Sequence, residues 1–413
     1  MRLLRLIRVT RRGKTLLALA GVILIYTFAT SILQYNLALF TDSLAKNYTV
    51  FGIVMGLPWL FSLLTDIPAG AFAERFGKKR TIILGLLGLA LSGIFFYFVS
   101  SLIELFWVLV LFGAFEGFLT VAGLASVIAV SPHGKEHRFV GGYTSGSAIG
   151  YMLGPIFGGL LVAWSGNRLP FLVFGAICLM AAVAAKIFIP APEHQHDSFF
   201  RAIRNVFIKD RMYVGGLREF FSVGRMSLFL GCSMLLVGMW SEFIWALEPI
   251  FVHEIGLSTS LGGIILTAFV VPFALFDYPI GRWIDRSGKR FSAMIMGLMM
   301  GGFGMIFFST ASEPFMLVFL AAVVSFGYAF FYVAVNGVFD MISDHHPRGH
   351  MTGIWQAAED IGFVLGPVAG GIAADVFNLR GAFFAFGGFL LVAIFLALGT
   401  RKYFRRYEAD PPR

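Results

Sequence analysis

Charged side chains are scarce in this sequence of 413 residues, where Asp, Glu, Lys and Arg together make up 13%. Hydrophobic residues account for 58%, and the 48 glycines raise the combined share to about 70%, well above the roughly 45–50% of soluble domains. A water-soluble fold has too little interior to bury so much apolar surface. With only two cysteines as well, the composition excludes a soluble enzyme, a disordered chain and a secreted disulfide scaffold.

Lysine and arginine are absent from the interior of the long apolar runs, although the net charge is +9. The basic residues collect between these runs, as in membrane proteins, so we expect a lipid bilayer and no nucleic acid as partner. About 20 apolar residues in a helix cross a hydrocarbon core of about 30 Å. Twelve runs meet this length and predict an all-α membrane protein with helices at 15–44, 50–72, 81–100, 103–130, 139–164, 169–189, 226–252, 257–280, 291–310, 314–341, 349–374 and 382–402.

The distribution of basic residues predicts the orientation of the chain. Twelve crossings place both termini on one side, and all but three of the 32 Lys and Arg residues fall on that side. The exceptions are Lys46, Arg168 and Arg380. Because positive residues are retained in the cytoplasm, we expect a plasma (inner) membrane protein with both termini cytoplasmic.

A polar stretch at 190–225 divides the chain into halves. The sequence predicts a cytoplasmic arm at 1–14, six-helix bundles at 15–189 and 226–402, and a cytoplasmic tail at 403–413. Within the linker, Phe199, Phe200, Ile203, Val206 and Phe207 recur at helical spacing, which is typical of an amphipathic helix on the inner membrane surface. A plain tether between the bundles is the open alternative.

The loop after the second run is repeated after the eighth, 211 positions further on. The two copies consist of Asp66, Pro68, Gly70, Glu74, Arg75, Gly77 and Lys78, and of Asp277, Pro279, Gly281, Asp285, Arg286, Gly288 and Lys289. The pattern predicts a tight turn whose charges pair across a helix interface, or an acid that caps a facing helix N-terminus. We expect Asp66 and Asp277 to form a cytoplasmic gate with Arg75 and Arg286.

A stripe of glycines in the fifth run recurs in the eleventh, 212 positions further on. Its members are Gly141, Gly150, Gly154, Pro155, Gly158 and Gly159, and then Gly353, Gly362, Gly366, Pro367, Gly370 and Gly371. Glycines four residues apart form a bare helix face that another backbone can approach closely. A proline there bends the helix, which is tolerated where the helix is packed or lines a cavity. Two motifs repeated at nearly one offset indicate that the halves are related.

Both motifs resemble signatures of the major facilitator superfamily, and the resemblance extends from Thr15 to Lys402. The loop is similar to Gly-x-x-x-Asp-Arg-x-Gly-Arg-Lys, with Glu74 in place of the Asp in the first copy. The stripe resembles the segment-five signature of the drug/proton antiporter branch, although Gly113 stands where many of those antiporters carry an intramembrane arginine. The resemblance implies two pseudo-symmetric six-helix bundles around a central site, lined by segments one, four, seven and ten, that opens alternately to either side.

Acidic residues inside the predicted runs are the candidates for proton coupling or for the substrate cavity: Glu116, Glu242, Glu248, Asp340, Glu359 and Asp360. Ionisable groups are costly in lipid, and these have no basic partner within a run. Such carboxyls suit the uptake and release of a proton, and direct binding of a cationic substrate or metal ion is the alternative. Hydrogen bonding between helices is a further role open to Glu116, and plain contact with water near a helix end is open to Glu242, Glu248 and Asp340. The adjacent pair Glu359 and Asp360 has Ser147 and Ala148 as counterparts, so it is peculiar to the second half.

Neutral polar and aromatic residues complete the predicted cavity wall: Gln34, Asn36, Trp245, Tyr328, Tyr332 and Asn336. Hydrogen bonding between helices is the alternative role for each of them. The sequence has no Gly-Lys-Ser/Thr phosphate loop, and no apolar run contains a nucleophile–base pair or a set of metal ligands. We therefore expect neither a cofactor, a metal site nor an enzyme, and the proton gradient as the energy source.

These patterns together predict a secondary active transporter that works by alternating access, exports a small molecule in exchange for protons and acts as a monomer. A proton-coupled importer or facilitator of a small solute is the nearest alternative. The alternative of another class is a non-transporting membrane receptor or assembly partner built on the same scaffold.

Overall fold

A computed structural model describes residues 11–132, 136–190, 225–343 and 348–409. Helices occupy almost all of these residues, and no strand occurs among them. The first six are α1 (Arg11–Leu44), α2 (Tyr48–Phe76), α3 (Lys78–Phe98), α4 (Leu102–Val130), α5 (Glu136–Ser165) and α6 (Leu169–Phe188). They are followed by α7 (Arg225–Glu254), α8 (Thr259–Ser287), α9 (Arg290–Thr310), α10 (Pro314–Ser343) and the long stretch Arg348–Ala409.

The long stretch is broken at Asn378, whose φ of 67° and ψ of 175° are not helical. It therefore forms two helices, α11 (348–377) and α12 (379–409). Gly166 lies 212 positions earlier, between α5 and α6, and has a φ of 72°. Glycine adopts positive φ without strain, and asparagine tolerates it better than most residues with a side chain. The same break is thus made in both halves, by glycine in one and by asparagine in the other.

Eleven stretches are long and apolar enough to cross a membrane, and the last of them, Trp355–Gly399, contains the break at Asn378. The predicted all-α fold with twelve membrane helices is therefore confirmed. The helices extend beyond the predicted runs, since α1 begins at Arg11 and α8 ends at Ser287 rather than at 15 and 280. A helix continues through polar residues once its end leaves the hydrocarbon. The predicted linker helix and the ends of the chain lie outside the described residues.

The described helices fall into two compact units. The first contains α1 up to Phe40, α2 from Leu57, and α3 to α6. The second contains α7 to α12 together with Thr41–Gly56, which includes the first third of α2. The bundles predicted at 15–189 and 226–402 differ from these units at Thr41–Gly56, and their boundaries stay a prediction.

Glycines allow close helix packing in a pattern that both units share. In the first unit α3 packs against α4 and α6, and in the second α9 packs against α10 and α12. A Cβ atom at Gly85 would lie 3.0 Å from Leu119 Cβ, and one at Gly297 would lie 2.9 Å from Phe331 Cβ. Both residues of the second pair follow those of the first by 212 positions. The internal repeat therefore includes helix contacts that neither sequence motif covers.

Candidate functional site

The glycine stripe of α5 lies against α1 in the first unit. A Cβ atom at Gly150 would lie 2.6 Å from Phe28 N and 2.7 Å from Leu24 O, so no side chain fits there. The Thr27 hydroxyl donates a hydrogen bond of 3.1 Å to the Ser147 carbonyl across the same interface. The face continues through Gly154 and Gly158, and Pro155 lies between them within the helix. This packing fixes the position of the middle of α1.

The stripe of α11 lies against α7 in the same way in the second unit. A Cβ atom at Gly366 would lie 2.5 Å from Met239 O, and one at Gly362 would lie 2.8 Å from Met239 N. Gly370 packs against the side chain of Phe243 one turn further on. Gly238 of α7 fits closely against the backbone carbonyl of Glu359. The close approach of α7 therefore sets the position of the Glu359 and Asp360 pair.

Glu116 is buried between α1 and α4 in the first unit, with 2% of its surface exposed. The Tyr26 hydroxyl donates to Glu116 Oε1 at 2.8 Å, and Tyr26 is buried as well. The two helices are those that, by the family resemblance, line the cavity in the first half. Tyr26 is absent from the predicted site because a single tyrosine in an apolar run gives no sequence signal.

Glu359 and Asp360 share one hydrogen-bond donor on α11. The Gln356 amide nitrogen lies 3.1 Å from Glu359 Oε2 and 3.4 Å from Asp360 Oδ1. Asp360 is buried and Glu359 is half-buried. Two acidic side chains on consecutive residues are thus held close together in the membrane-spanning part of the helix, a position that is costly for charge.

An aromatic cluster on α7 and α10 lies beside these acids. The rings of Tyr328 and Tyr332 stack with centroids 5.9 Å apart, and Trp240 meets Tyr328 edge-on at 5.5 Å. Glu359 interacts electrostatically with both tyrosines, and Glu242 interacts with Tyr328. The second unit therefore brings predicted residues of α7, α10 and α11 together in one acidic and aromatic cluster.

Glu248 lies at the far end of α7 from this cluster and is completely buried. Neither of its carboxylate oxygens has a hydrogen-bond partner among the described residues. Pro249 follows it directly and has no N–H to donate. Trp245, one turn earlier, is also buried. Glu248 is thus a carboxyl group in apolar surroundings without the polar contacts that Glu116 and Asp360 have.

The remaining predicted cavity residues take other positions. The Asn36 amide donates to the Asn167 carbonyl at 2.9 Å and so ties α1 to the turn after α5. The Asn336 amide donates to the Tyr332 carbonyl one turn earlier on α10. Gln34 is buried, whereas Asp340 is exposed close to the end of α10.

The repeated loop forms the turns from α2 to α3 and from α8 to α9. Gly77 and Gly288 have φ values of 104° and 66°, which favour glycine. Across the second turn, Asp285 forms an ion pair of 3.3 Å with Arg290. Asp277 and Arg286 are nine residues apart on continuous α8, a rise of about 13.5 Å, so they do not pair with each other. The cytoplasmic gate stays a prediction.

A second polar contact set, absent from the sequence interpretation, joins the start of α2 to the ends of α7 and α11 within the second unit. The backbone N–H groups of Tyr48 and Thr49 donate to the two carboxylate oxygens of Asp375 at 2.9 and 2.8 Å. The Tyr48 hydroxyl donates to Glu254 Oε2 at 2.9 Å. We call these four residues the clasp. Gly52 packs beside it against the Pro367 carbonyl.

A sequence profile of the Major Facilitator Superfamily matches residues 19–246 and 228–412. The chain belongs to this superfamily. Multidrug resistance protein 2 of Bacillus subtilis is 25% identical over 360 residues, which cover 84% of each chain. Multidrug resistance protein MdtG of Salmonella dublin is 23% identical over 359 residues, covering 86% of this chain and 85% of the relative.

Among solved structures, a bacterial homolog of the human lysosomal transporter Spinster, inward-facing and unoccupied, matches with a TM-score of 0.79. The match covers 96% of this chain and 98% of the other at 17% identity, so it bears on the fold alone. The predicted resemblance to the superfamily is confirmed, and with it a multi-pass membrane transporter of small molecules rather than an enzyme. Among the described residues, no group of three His, Cys, Asp or Glu side chains could hold a metal ion.

This superfamily member also carries a third repeated element, which the sequence interpretation missed. The Arg168 guanidinium donates to the Tyr97 carbonyl and lies 6.0 Å from the centre of the Phe40 ring. In the second unit, Arg380 donates to the Ser309 carbonyl at 2.8 Å and lies 5.7 Å from the Phe251 ring. Each residue of the second set lies 211 or 212 positions after its counterpart in the first set, as in the two motifs. This shared offset is the signal from which the sequence could have predicted the element.

Proposed function

We propose that this protein is a secondary active transporter that exports a small molecule in exchange for protons. One observation carries the proposal: in the described part of the chain, every buried side chain among Asp, Glu, Lys and Arg is acidic. These are Glu116, Glu242, Glu248 and Asp360. A carboxyl group that changes between neutral and charged forms can couple proton movement to a change of conformation, provided that the two conformations bind the proton differently.

The coupling site in this proposal is the pair Glu359 and Asp360. Two neighbouring carboxylates that share one amide donor repel each other, and one proton relieves that repulsion. Gln356 supplies the shared donor, and the cluster of Tyr328 and Tyr332 lies beside Glu359. The same acids are absent from the equivalent positions of α5, where Ser147 and Ala148 stand. A function that differs between the two units fits this asymmetry.

Glu116 and Glu248 have different parts in the proposal. Glu116 is held by the Tyr26 hydroxyl between α1 and α4, so we assign it to the cavity of the first unit. Glu248 lacks hydrogen-bond partners among the described residues, and a neutral carboxyl group is the form that such apolar surroundings favour. We therefore assign Glu248 to proton uptake rather than to contact with substrate.

The clasp supports alternating access. It consists of hydrogen bonds from the start of α2 to α7 and α11, and the glycine packing beside it joins α2 to α11; all of these contacts can form and break without unfolding a helix. We infer that the clasp closes the side of the membrane opposite to the basic loops. Because the basic loops are expected in the cytoplasm of a cell with an inner membrane, the clasp then closes the outer side.

Export is supported by the names of the relatives, which are multidrug resistance proteins. The test is reconstitution in proteoliposomes under an imposed pH gradient, with a panel of dyes, sugars, lipids and metal ions. An antiporter moves its substrate into the acidic compartment, because protons flow out of that compartment. Accumulation in the alkaline compartment would instead identify a proton-coupled importer. If no compound showed flux that depends on the gradient, the proposal would fail.

Substitution of the acidic pair sharpens this test. We expect Asp360→Asn and Glu359→Gln to lower gradient-driven accumulation of substrate by about 5- to 150-fold. This range corresponds to the loss of a coupling free energy of about 1–3 kcal/mol. Exchange of substrate between equal concentrations should persist, since it needs no net proton movement. Glu313→Gln, at an exposed acid before α10, is the matched control and should change neither measurement.

A further inference from the structure

The end of α8 that leads into the basic turn carries a cavity of about 420 Å³, and one of its residues, Arg286, also belongs to the predicted cytoplasmic gate. Six residues of α8 line it: Tyr278, Pro279, Arg282, Trp283, Arg286 and Ser287. They fall on two adjacent rows of the helix, in which residues follow one another every four positions. The cavity is therefore a groove along one side of the helix end.

This groove continues a face of α8 that is apolar along the membrane span. Ile264 and Leu275 are 42% and 59% exposed, and exposed apolar residues of a membrane helix contact lipid. Arg282 and Arg286 follow Leu275 by 7 and 11 positions, which is close to two and three helical turns. The lipid-facing stripe thus runs directly into two arginines, about 10 and 16 Å further along the helix axis.

Two aromatic side chains stand where this stripe changes from apolar to basic. Tyr278 is 77% exposed, and Trp283 is 43% exposed with its ring perpendicular to that of Phe330 on α10, 5.9 Å between centroids. Tyrosine and tryptophan are enriched at the level of lipid headgroups. They place this end of α8 at the boundary between hydrocarbon and water.

The positive charge in the groove is not neutralised by the described residues. Arg282 and Arg286 are exposed, and no described residue forms a hydrogen bond, ion pair or ring contact with either. The nearest acid in sequence, Asp285, pairs with Arg290 instead. Two guanidinium groups one turn apart, beside a cavity, are therefore available to an anionic ligand.

The first half of the chain lacks these residues, although it has the same turn. The positions 211 earlier hold Ile67, Ala71 and Phe72 in place of Tyr278, Arg282 and Trp283, and only Arg75 corresponds to a groove arginine. The repeated turn can therefore form without an aromatic and basic groove. The groove is an addition peculiar to the second half.

We propose that the groove binds the headgroup of an anionic phospholipid. The phosphate pairs with Arg282 and Arg286, since guanidinium groups bind phosphate through two parallel hydrogen bonds. The headgroup lies against Tyr278 and Trp283, and the acyl chains extend along Leu275 and Ile264. Basic pockets at the cytoplasmic ends of membrane helices recognise lipids by this chemistry.

Native mass spectrometry of the purified full-length protein tests this proposal. The protein is released from nanodiscs of phosphatidylcholine with a small fraction of phosphatidylglycerol, and the bound lipids are counted. We expect one retained phosphatidylglycerol, and R282Q/R286Q should weaken its binding about 25-fold, since each positive charge near the membrane surface raises the affinity for an anionic lipid by about a factor of five. R80Q/K186Q removes two exposed charges elsewhere and should retain the lipid.

Two further arms make the result decisive. R282K/R286K keeps both charges and should retain more phosphatidylglycerol than R282Q/R286Q, while all variants should unfold at the temperature of the unchanged protein. Equal retention by R282Q/R286Q and the unchanged protein would overturn the proposal. Displacement of the lipid by millimolar inorganic phosphate would also overturn it, because the groove would then be a site for free anions.

Discussion

Arg168 and Arg380 each hold a helix end through a backbone carbonyl and an aromatic ring. We expect Arg380→Gln to lower the free energy of unfolding by about 2–3 kcal/mol, since a hydrogen bond from a charged group contributes about 1.5–3 kcal/mol and a cation–π contact adds to it. Unfolding of the purified protein in mixed micelles measures the difference.

Lys46 provides the control for this prediction. It is the third basic residue that the sequence places opposite to the basic loops, and it is exposed without a contact to the described residues. Lys46→Gln should change the free energy of unfolding by less than about 0.5 kcal/mol. If both variants were equally stable, the contacts of Arg380 would not stabilise the fold, and its charge would matter only for the orientation of the chain in the membrane.

Individual site residues were only partly predictable from the sequence. Glu116, Glu359 and Asp360 stand out because a carboxyl group in an apolar run is costly. Tyr26 and Gln356, which donate to them, do not stand out, because polar neutral residues are common in membrane helices. Asp375 and Glu254 lie at the ends of runs, where an acid in water is unremarkable, and only the contacts of the start of α2 with α11 and α7 give them partners.

At the level of the helix, the glycines of one sequence motif differ in how closely they pack against a neighbouring helix. Gly150 has no space for a side chain, whereas a Cβ atom at Gly141, in the same motif, would meet nothing within 4 Å. We expect Gly150→Ala to lower the free energy of unfolding by about 1–3 kcal/mol, the usual cost of overpacking. Gly141→Ala should leave stability unchanged or raise it, by up to about 1 kcal/mol, since alanine is the better helix former.

Thermal unfolding of the two glycine variants, side by side, measures this difference. Equal destabilisation would mean that the motif acts through backbone flexibility rather than through close packing of α5 on α1. The repeat predicts the same cost for an alanine in α11, where a Cβ atom added at Gly362, the counterpart of Gly150, would lie 2.8 Å from Met239 N.

The clasp makes a prediction about the movement of α2. Asp375→Asn removes a negative charge from the N-terminus of α2, an interaction of about 0.3–2 kcal/mol. We expect the clasp to open more often, by about 2- to 30-fold. A cysteine introduced at Val50 should then react faster with a membrane-impermeant maleimide in Cys232→Ser protein, whose remaining Cys178 is buried. An unchanged rate, with Glu313→Gln as reference, would argue against a gating role.

The fold of the whole molecule was the most predictable feature. Twelve apolar runs and two repeated motifs extend over the whole chain, so a run boundary that is misplaced by a few residues does not change the predicted fold. The break at Asn378 sets the helix count, and its counterpart Gly166 could have been found from the offset of 212. The division between the two units is less predictable. Thr41–Gly56 joins the second unit through Gly52, Tyr48 and Thr49, and contacts so distant in sequence leave no local pattern.

Proton exchange is the central claim about the whole molecule, and one measurement tests it most directly. Proteoliposomes are loaded with substrate and a pH-sensitive dye at equal internal and external pH, and are then diluted into substrate-free buffer. As substrate leaves, an antiporter brings protons in, so the account predicts that the lumen becomes more acidic. The sign is the same for either orientation of the protein in the vesicle. A lumen that becomes more alkaline, or does not change while substrate leaves, would contradict the account.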